Sequence, residues 1–83
     1  MEVVLVNYKH NQAYCIAFGN RLRVLRLGKG ISMRGLAKEA DIEYSQLSKI
    51  ERGVINTTIS TVYALAQALD IPVKDFYDFK NPK

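Results

Sequence analysis

Residues 44–52 (YSQLSKIER) gather side chains that donate and accept hydrogen bonds within one short segment. Leu47 and Ile50 stand three positions apart, which predicts a helix over about 43–52 with these two residues buried on one side. The outward and flanking positions are then Ser45, Lys49, Arg52, Tyr44, Gln46 and Ser48. Glutamine can pair with adenine N6 and N7, lysine with guanine O6 and N7, and serine with several base edges. The chemistry that this surface offers is recognition of nucleic-acid bases.

The sequence lacks the groups that catalysis or metal binding would need. Cys15 and His10 are the only cysteine and histidine, so no disulfide within the chain and no cluster of Cys and His metal ligands can form. Cys15 is expected to be a small buried hydrophobic residue. Gly28 and Gly30 form a weak phosphate-loop pattern that helix capping explains, and no nucleophile stands with a base. We therefore expect no enzyme activity, no cofactor and no metal site.

Basic residues are concentrated in one segment, although the net charge of the whole chain is only +4. Residues 21–38 contain six basic side chains and no acidic one. A block of one sign within a folded domain can attract a polyanion such as DNA. The alternative is a solvated helix face without a partner.

The length of 83 residues and the apolar fraction of 48% favour one small globular domain. No apolar run is long enough for a membrane-spanning helix. The start of the chain, MEVVLV, is apolar but too short for a signal peptide. We therefore expect a cytoplasmic protein with no membrane association, held near the nucleoid through DNA.

The first eleven residues differ from the rest of the chain. Residues 2–8 (EVVLVNY) are rich in valine and have strand propensity, but a single short strand has no partner within this sequence. We predict an extended N-terminal arm over 1–11 and a helical domain over 12–80. The arm either leads into the first helix or forms an edge that pairs with a second copy.

Apolar spacing and capping residues divide the domain into five short helices. Ser32 is the predicted N-cap of the second helix, and either Thr57 or Thr58 is the N-cap of the fourth. Phe76 and Phe79, in the fifth, are expected in the core. The predicted helices span about 12–27, 32–40, 43–52, 58–69 and 72–79.

The two central helices carry the spacing of a helix-turn-helix. Counted from position 33, Ala37 is the fifth residue, Asp41 the ninth, Leu47 the fifteenth and Ile50 the eighteenth. The small alanine and the turn-forming aspartate set the corner between the helices, and the two apolar residues attach the second helix to the core. This spacing predicts a helix-turn-helix at about 32–52.

The chain from about Phe18 to Phe79 resembles the Cro/phage-repressor type helix-turn-helix family, also called the xenobiotic-response-element family. The motifs that carry the resemblance are FGNRLRVLR, GISMRGLAKEADI, YSQLSKIERG and ISTVYALAQALDIP, with Asn56 at the family's distance from SKIERG. The resemblance implies an all-α, five-helix, lambda-repressor-like domain that binds operator DNA as a dimer. Small single-domain members act as phage regulators, restriction–modification controllers or antitoxin-like repressors.

The resemblance also implies which residues touch DNA. Bases are read from the front of the third helix and one turn on, at Tyr44, Ser45, Gln46 and Lys49. The residues expected to contact the DNA backbone are Ser32, Met33, Arg34, Lys38, Asn56 and Arg52, and Arg23 or Arg26 could reach it too. We expect Glu51 to hold Arg26 or Arg23 instead of touching DNA, because a carboxylate beside phosphates is unfavourable.

Four residues depart from the family's pattern. Met33 stands where the family has glutamine, Asp41 where it has glycine, Glu43 where it has a serine or threonine N-cap, and Thr57 where it has proline. At Met33 a polar contact is lost or is replaced by an apolar one, to a thymine methyl or to a neighbour. The Glu43 carboxylate can still cap the third helix. These departures leave the operator sequence open.

One recognition helix reads only a few base pairs, so we expect a homodimer on a palindromic operator with half-sites about one helical turn apart. The interface would come from the fourth and fifth helices, where Tyr63 and Tyr77 are either contacts or core residues, or from the VVLV arm. The alternative function is a protein-interaction module, such as an antitoxin-like partner, built on the same fold. A small-molecule effector is not expected in a domain of this size.

Overall fold

The computed structural model describes residues 11–82, and every regular element in this range is helical. Four α-helices are followed by one 3₁₀ helix. Their bounds are Gln12–Gly28 (α1), Met33–Ala40 (α2), Tyr44–Glu51 (α3), Ile59–Leu69 (α4) and Val73–Tyr77 (the 3₁₀ helix). Apart from its last residue, the predicted arm lies outside the described residues. None of the helices between residues 11 and 82 is long and apolar enough to cross a membrane.

Short polar side chains begin three of the α-helices. Ser32, Thr58 and Asn11 each accept a hydrogen bond from the backbone N–H three residues ahead, at 3.0, 3.1 and 3.0 Å. The predicted cap at Ser32 is confirmed, and Thr58 is the one of the two threonines that caps α4. Each such cap stabilises its helix by about 1 kcal/mol.

Two aspartates end α2 and α4 in the left-handed conformation. Asp41 has φ 58° and ψ 47°, and Asp70 has φ 57° and ψ 49°. Aspartate tolerates this region better than most residues other than glycine. The N–H of Ile42 donates to the Ala37 carbonyl at 3.0 Å, and the N–H of Ile71 donates to the Ala66 carbonyl at 3.1 Å. Each of these hydrogen bonds closes the last turn of its helix. The chain therefore turns sharply between α2 and α3.

The core lies where the apolar sides of all five helices meet. Leu22, Leu36, Leu47, Leu65 and Phe76 have no exposed surface. The other buried apolar residues are Phe18, Ala37, Ala40, Ile50, Val62, Ala66 and Leu69. With α1, α2 and α4 all packed into this core, α3 has a rigid support.

The prediction of a fifth α-helix is wrong, because the segment after Pro72 forms a 3₁₀ helix of five residues. A segment barely longer than one turn gains few α-helical hydrogen bonds, so the tighter turn that seats Phe76 in the core prevails. Phe79 is half-buried against the core. Arg21 Nε donates to a carbonyl of the 3₁₀ helix at 2.8 Å, which fixes it to α1. Partial desolvation raises the pKa of the Tyr77 phenol, and the neighbouring Tyr14 adds to the rise.

Candidate nucleic-acid interface

A tight corner presents α3 at the surface. Asp41 turns the chain, and Ala37 and Ala40 are buried where α2 packs into the core. Small side chains allow neighbouring helices to approach closely. Leu47 and Ile50 are buried, so α3 is attached through the side that the spacing predicts.

The opposite side of α3 faces solvent. Tyr44, Ser45 and Lys49 are exposed, Gln46 is half-buried on the flank, and Arg52 is exposed just after the helix. A helix with its side chains is about 10–12 Å across, and the major groove of DNA is about 12 Å wide. Phenol, hydroxyl, amide and ammonium groups therefore sit on a helix whose width matches the groove, and the Arg52 guanidinium follows at its end.

A buried ion pair fixes the end of α3 to α1. Arg26 Nε and Nη2 donate to the two carboxylate oxygens of Glu51 at 2.6 and 3.1 Å, and Nη1 donates to the Ile31 carbonyl at 2.9 Å. The expectation that Glu51 holds an arginine is confirmed for Arg26. The expectation that Arg26 could reach the DNA backbone is wrong, because its side chain is buried and Nε, Nη1 and Nη2 each donate to a partner inside the fold. One side chain thus links α1, α3 and the loop that precedes α2.

Gly19 sets the spacing between α1 and α3. A Cβ atom at this position would lie 2.5 Å from the carbonyl oxygens of Ile50 and Glu51. Only glycine permits this approach of the two backbones, and the approach places Arg26 against Glu51. Gly19 was not predicted as a contact from the sequence, although a glycine inside a helical pattern costs about 1 kcal/mol relative to alanine and so indicates close packing.

The basic block of residues 21–38 does not form one surface. Arg21 turns toward the 3₁₀ helix and also lies 3.7 Å from Asp78, while Arg26 is neutralised by Glu51. The remaining members of the block are exposed: Arg23, Lys29, Arg34 and Lys38. Two of the six basic side chains in the block therefore have structural roles, and the other four are available to bind an anion.

Arg34 and Tyr44 are stacked across the corner. The guanidinium carbon of Arg34 lies 4.8 Å from the centre of the Tyr44 ring, a cation–π distance. This contact joins a residue expected at the DNA backbone to one expected at a base. Each therefore restricts the orientations that the other can adopt.

Two hollows flank the start of α2 on this face, and Met33 borders both. One is lined by Arg23, Arg26, Met33, Ser48, Glu51 and Arg52. The other is lined by Arg26, Ser32, Met33, Arg34 and Tyr44. Ser32 Oγ uses a lone pair to cap α2, which leaves its hydrogen as a donor. The uncapped N–H groups at the start of α2 open on the same side, where the helix dipole favours an anion.

Asn56 lies in the loop between α3 and α4, and its side chain is partly engaged. Its Oδ1 accepts a hydrogen bond from Cys15 Sγ at 3.2 Å, which directs the amide oxygen toward α1. The amide N–H groups are the part of Asn56 suited to an anion. Cys15 is half-buried, less enclosed than the sequence predicts. Within residues 11–82 no group of three or more His, Cys, Asp and Glu side chains is placed to hold a metal ion.

Glu43 does not cap α3, contrary to the sequence analysis. It occupies the N-cap position with an extended backbone, but its side chain makes no capping hydrogen bond. Glutamate is one methylene longer than aspartate and asparagine, which cap well, and Glu43 is exposed to solvent. The first N–H groups of α3 are thus left without a side-chain acceptor, beside the exposed Tyr44 and Ser45.

The amino-acid sequence matches known helix-turn-helix proteins. Residues 22–76 match the HTH_3 family model, described as helix-turn-helix. Control protein C.BamHI of Bacillus amyloliquefaciens is 35% identical over 65 residues, which cover 77% of this chain and 80% of that protein. The chain spans about half the length of several other curated relatives, which are HTH-type transcriptional regulators.

Solved structures match the fold as well. The restriction-modification controller protein C.AhdI from Aeromonas hydrophila has a TM-score of 0.76 and 38% identity, with 77% of this chain and 97% of that chain covered. The N-terminal DNA-binding domain of SinR from Bacillus subtilis has a TM-score of 0.70 and 33% identity, with 78% and 96% covered. The helix-turn-helix geometry and these matches agree, and the chain belongs to the Cro/C1-type helix-turn-helix family of DNA-binding transcriptional regulators.

Proposed function

We propose that this regulator binds a palindromic operator as a homodimer and reads each half-site through the outward side of α3. The observation that carries the proposal is the division of α3 into a buried side, with Leu47 and Ile50, and a solvent side, with Ser45 and Lys49. A helix held so firmly can place its polar side chains at fixed positions in the major groove. The relatives named as controller proteins support a role in transcription regulation of the controller type.

Base readout would come from four side chains of α3. Lys49 is suited to guanine O6 and N7, Gln46 to adenine N6 and N7, and Ser45 to several base edges. Tyr44 would reach the start of the half-site in the orientation that Arg34 imposes. Each good contact would contribute about 1–3 kcal/mol of discrimination.

Backbone contacts would surround this helix and fix its register. The exposed cations Arg34 and Arg52 line the hollows at the start of α2, where Ser32 and the free N–H groups can bind a phosphate. Lys38, exposed in the last turn of α2, would add a further backbone contact. The Asn56 amide would contribute from the loop after α3. Such contacts carry no sequence information, but they supply most of the affinity and make it depend on salt.

The dimer interface would lie on α4 and the 3₁₀ helix. Ile59 and Tyr63 are one turn apart on a flank of α4 and are 87% and 60% exposed, so neither fills the core. Val73 and Tyr77 of the 3₁₀ helix are also exposed large apolar residues. A flank of this kind, separate from the reading side of α3, would leave both recognition helices free for DNA.

The test of DNA recognition is selection of duplexes by the protein from a random pool, followed by titration at several salt concentrations. We expect an enriched palindrome and a linear fall of log affinity with log salt. Enrichment of no sequence, together with affinity that is independent of salt, would contradict the proposal and favour a protein-interaction module.

The test of the dimer is sedimentation equilibrium of the double variant Ile59→Ser, Tyr63→Ser. We expect a monomer, while the control Val24→Ser, which changes an exposed apolar residue of α1, remains a dimer. A dimer in both variants would place the interface elsewhere and contradict this assignment.

A further inference from the structure

We infer that the Met33 side chain is a specificity-determining contact that reads the C5 methyl group of one thymine in each half-site. This inference rests on the proposed function and adds the identity of one base. The observation behind it is the position of an apolar side chain among cations and hydroxyls on the face that would meet DNA.

Met33 stands at the N-terminal end of α2, and its side chain borders hollows that α3 also lines. It is the first residue of α2, and a Cα–Cβ bond in a helix is tilted toward the N-terminus, so its side chain extends past the helix start. It is half-buried, with one part packed against the core and the rest exposed between the two hollows. Tyr44, at the start of α3, borders one of these hollows, and Ser48, further along α3, borders the other, so Met33 lies alongside the recognition helix.

The surroundings of Met33 differ from it in chemistry. Ser32, Arg34, Ser48 and Arg52 line the two hollows around it, and each can donate a hydrogen bond to a phosphate or a base. The thioether of methionine has no hydrogen-bond donor and is a weak acceptor, so Met33 can offer a phosphate or a base only apolar contact. Its three rotatable bonds allow the exposed end to adapt to a surface in front of it.

The major groove presents one apolar group that distinguishes a base pair. Thymine carries a C5 methyl group there, whereas guanine, adenine and cytosine present hydrogen-bonding atoms. A half-buried methionine alongside the recognition helix is therefore matched to thymine. Packing of Met33 as a simple plug between α2 and α3 would account for its buried part, but it predicts no dependence of affinity on that methyl group.

The experiment uses the duplex that the unaltered protein selects from a random pool, with each thymine replaced in turn by deoxyuridine. This replacement removes only the C5 methyl group and keeps every hydrogen-bonding atom. We expect one thymine position in each half-site to matter. Replacing it in a single half-site should lower the affinity about fourfold, as for one methyl-sized group left unburied, and replacing it in both half-sites should lower the affinity about sixteenfold.

Two variants assign the effect to Met33. Met33→Leu keeps an apolar side chain and should keep the preference for thymine over deoxyuridine. Met33→Gln has a similar length but ends in a polar amide, so it should bind the two duplexes equally. Equal affinity of the unaltered protein for all deoxyuridine duplexes would overturn the inference, as would a full thymine preference in Met33→Gln. Selection of no duplex at all would instead count against the proposed function.

Discussion

The two sides of α3 differ in almost every physical property, although the helix has only eight residues. On the inner side, Leu47 and Ile50 are buried and Glu51 is held by Arg26 through two hydrogen bonds. On the outer side, Ser45 and Lys49 make no contact that the fold requires. The inner side should therefore determine stability and the outer side recognition, and substitutions on the two sides should have separable effects.

The largest effect is expected from Glu51→Ala, which leaves the buried Arg26 guanidinium without its partner. Removing one member of a buried pair costs about 3–5 kcal/mol. Urea denaturation should show this loss of unfolding free energy, while Glu39→Ala, at an exposed glutamate of α2, changes it by less than about 0.5 kcal/mol. Equal stability of the two variants would mean that the inner side does not depend on the ion pair.

The next effect concerns the close approach of α1 and α3. Gly19→Ala should destabilise the fold by about 1–3 kcal/mol, because the new Cβ would overlap two backbone carbonyl oxygens of α3. Gly28→Ala is the matched control, since a Cβ there meets nothing within 4 Å. We expect a lower thermal midpoint for the first variant only. A midpoint for Gly19→Ala at or above that of the unaltered protein would refute the close packing.

On the outer side, Lys49→Ala and Gln46→Ala should each reduce the preference for the selected duplex by about 1–3 kcal/mol. Stability should change by less than about 0.5 kcal/mol, since neither side chain belongs to the core. Competition titration against random duplex measures the preference, with Lys74→Ala on the 3₁₀ helix as the control. Equal weakening on both duplexes would remove these residues from base readout.

The smallest effect is expected from Arg34→Ala, a change at the margin of the outer side. Loss of one phosphate contact should weaken all duplexes alike and reduce the slope of log affinity against log salt by about 1. The control Lys80→Ala, near the end of the described chain, should leave the slope unchanged. If Arg34→Ala alters the preference among duplexes, its stacking on Tyr44 matters more than its charge.

Much of the fold follows from local patterns in the sequence. The cap at Ser32 and the turn at Asp41 depend on interactions within a few residues, so spacing and residue type are enough to predict them. For α4 the sequence left Thr57 and Thr58 open, and the structure shows Thr58 as the cap. The burial of Leu47 and Ile50 follows from helical periodicity. The outward direction of Ser45 and Lys49 is the consequence of that burial.

The errors of the sequence analysis have a common origin. The fifth α-helix and the Glu43 cap were predicted from residue type. The segment after Pro72 forms a 3₁₀ helix instead, because it is short and Phe76 packs into the core. The longer Glu43 side chain makes no capping hydrogen bond with the N–H groups of α3. The basic block of residues 21–38 offers less free charge than its composition suggests, because Arg21 and Arg26 bond to partners far along the chain. Composition alone did not indicate that Arg21 bonds to the 3₁₀ helix, whereas the pairing of Glu51 with Arg26 or Arg23 was expected.

The sequence by itself determined the helix-turn-helix, its turn residue and the polar character of α3, because each depends on neighbours within one or two helical turns. The tertiary structure decided which arginine Glu51 binds, why Gly19 is required and where Met33 lies relative to α3. Arg26 and Glu51 are 25 residues apart, and such partners meet only when the packing of α1 against α3 is known. The physical reason is that periodicity and capping are local, whereas the burial of a charge or the exclusion of a Cβ depends on the whole core.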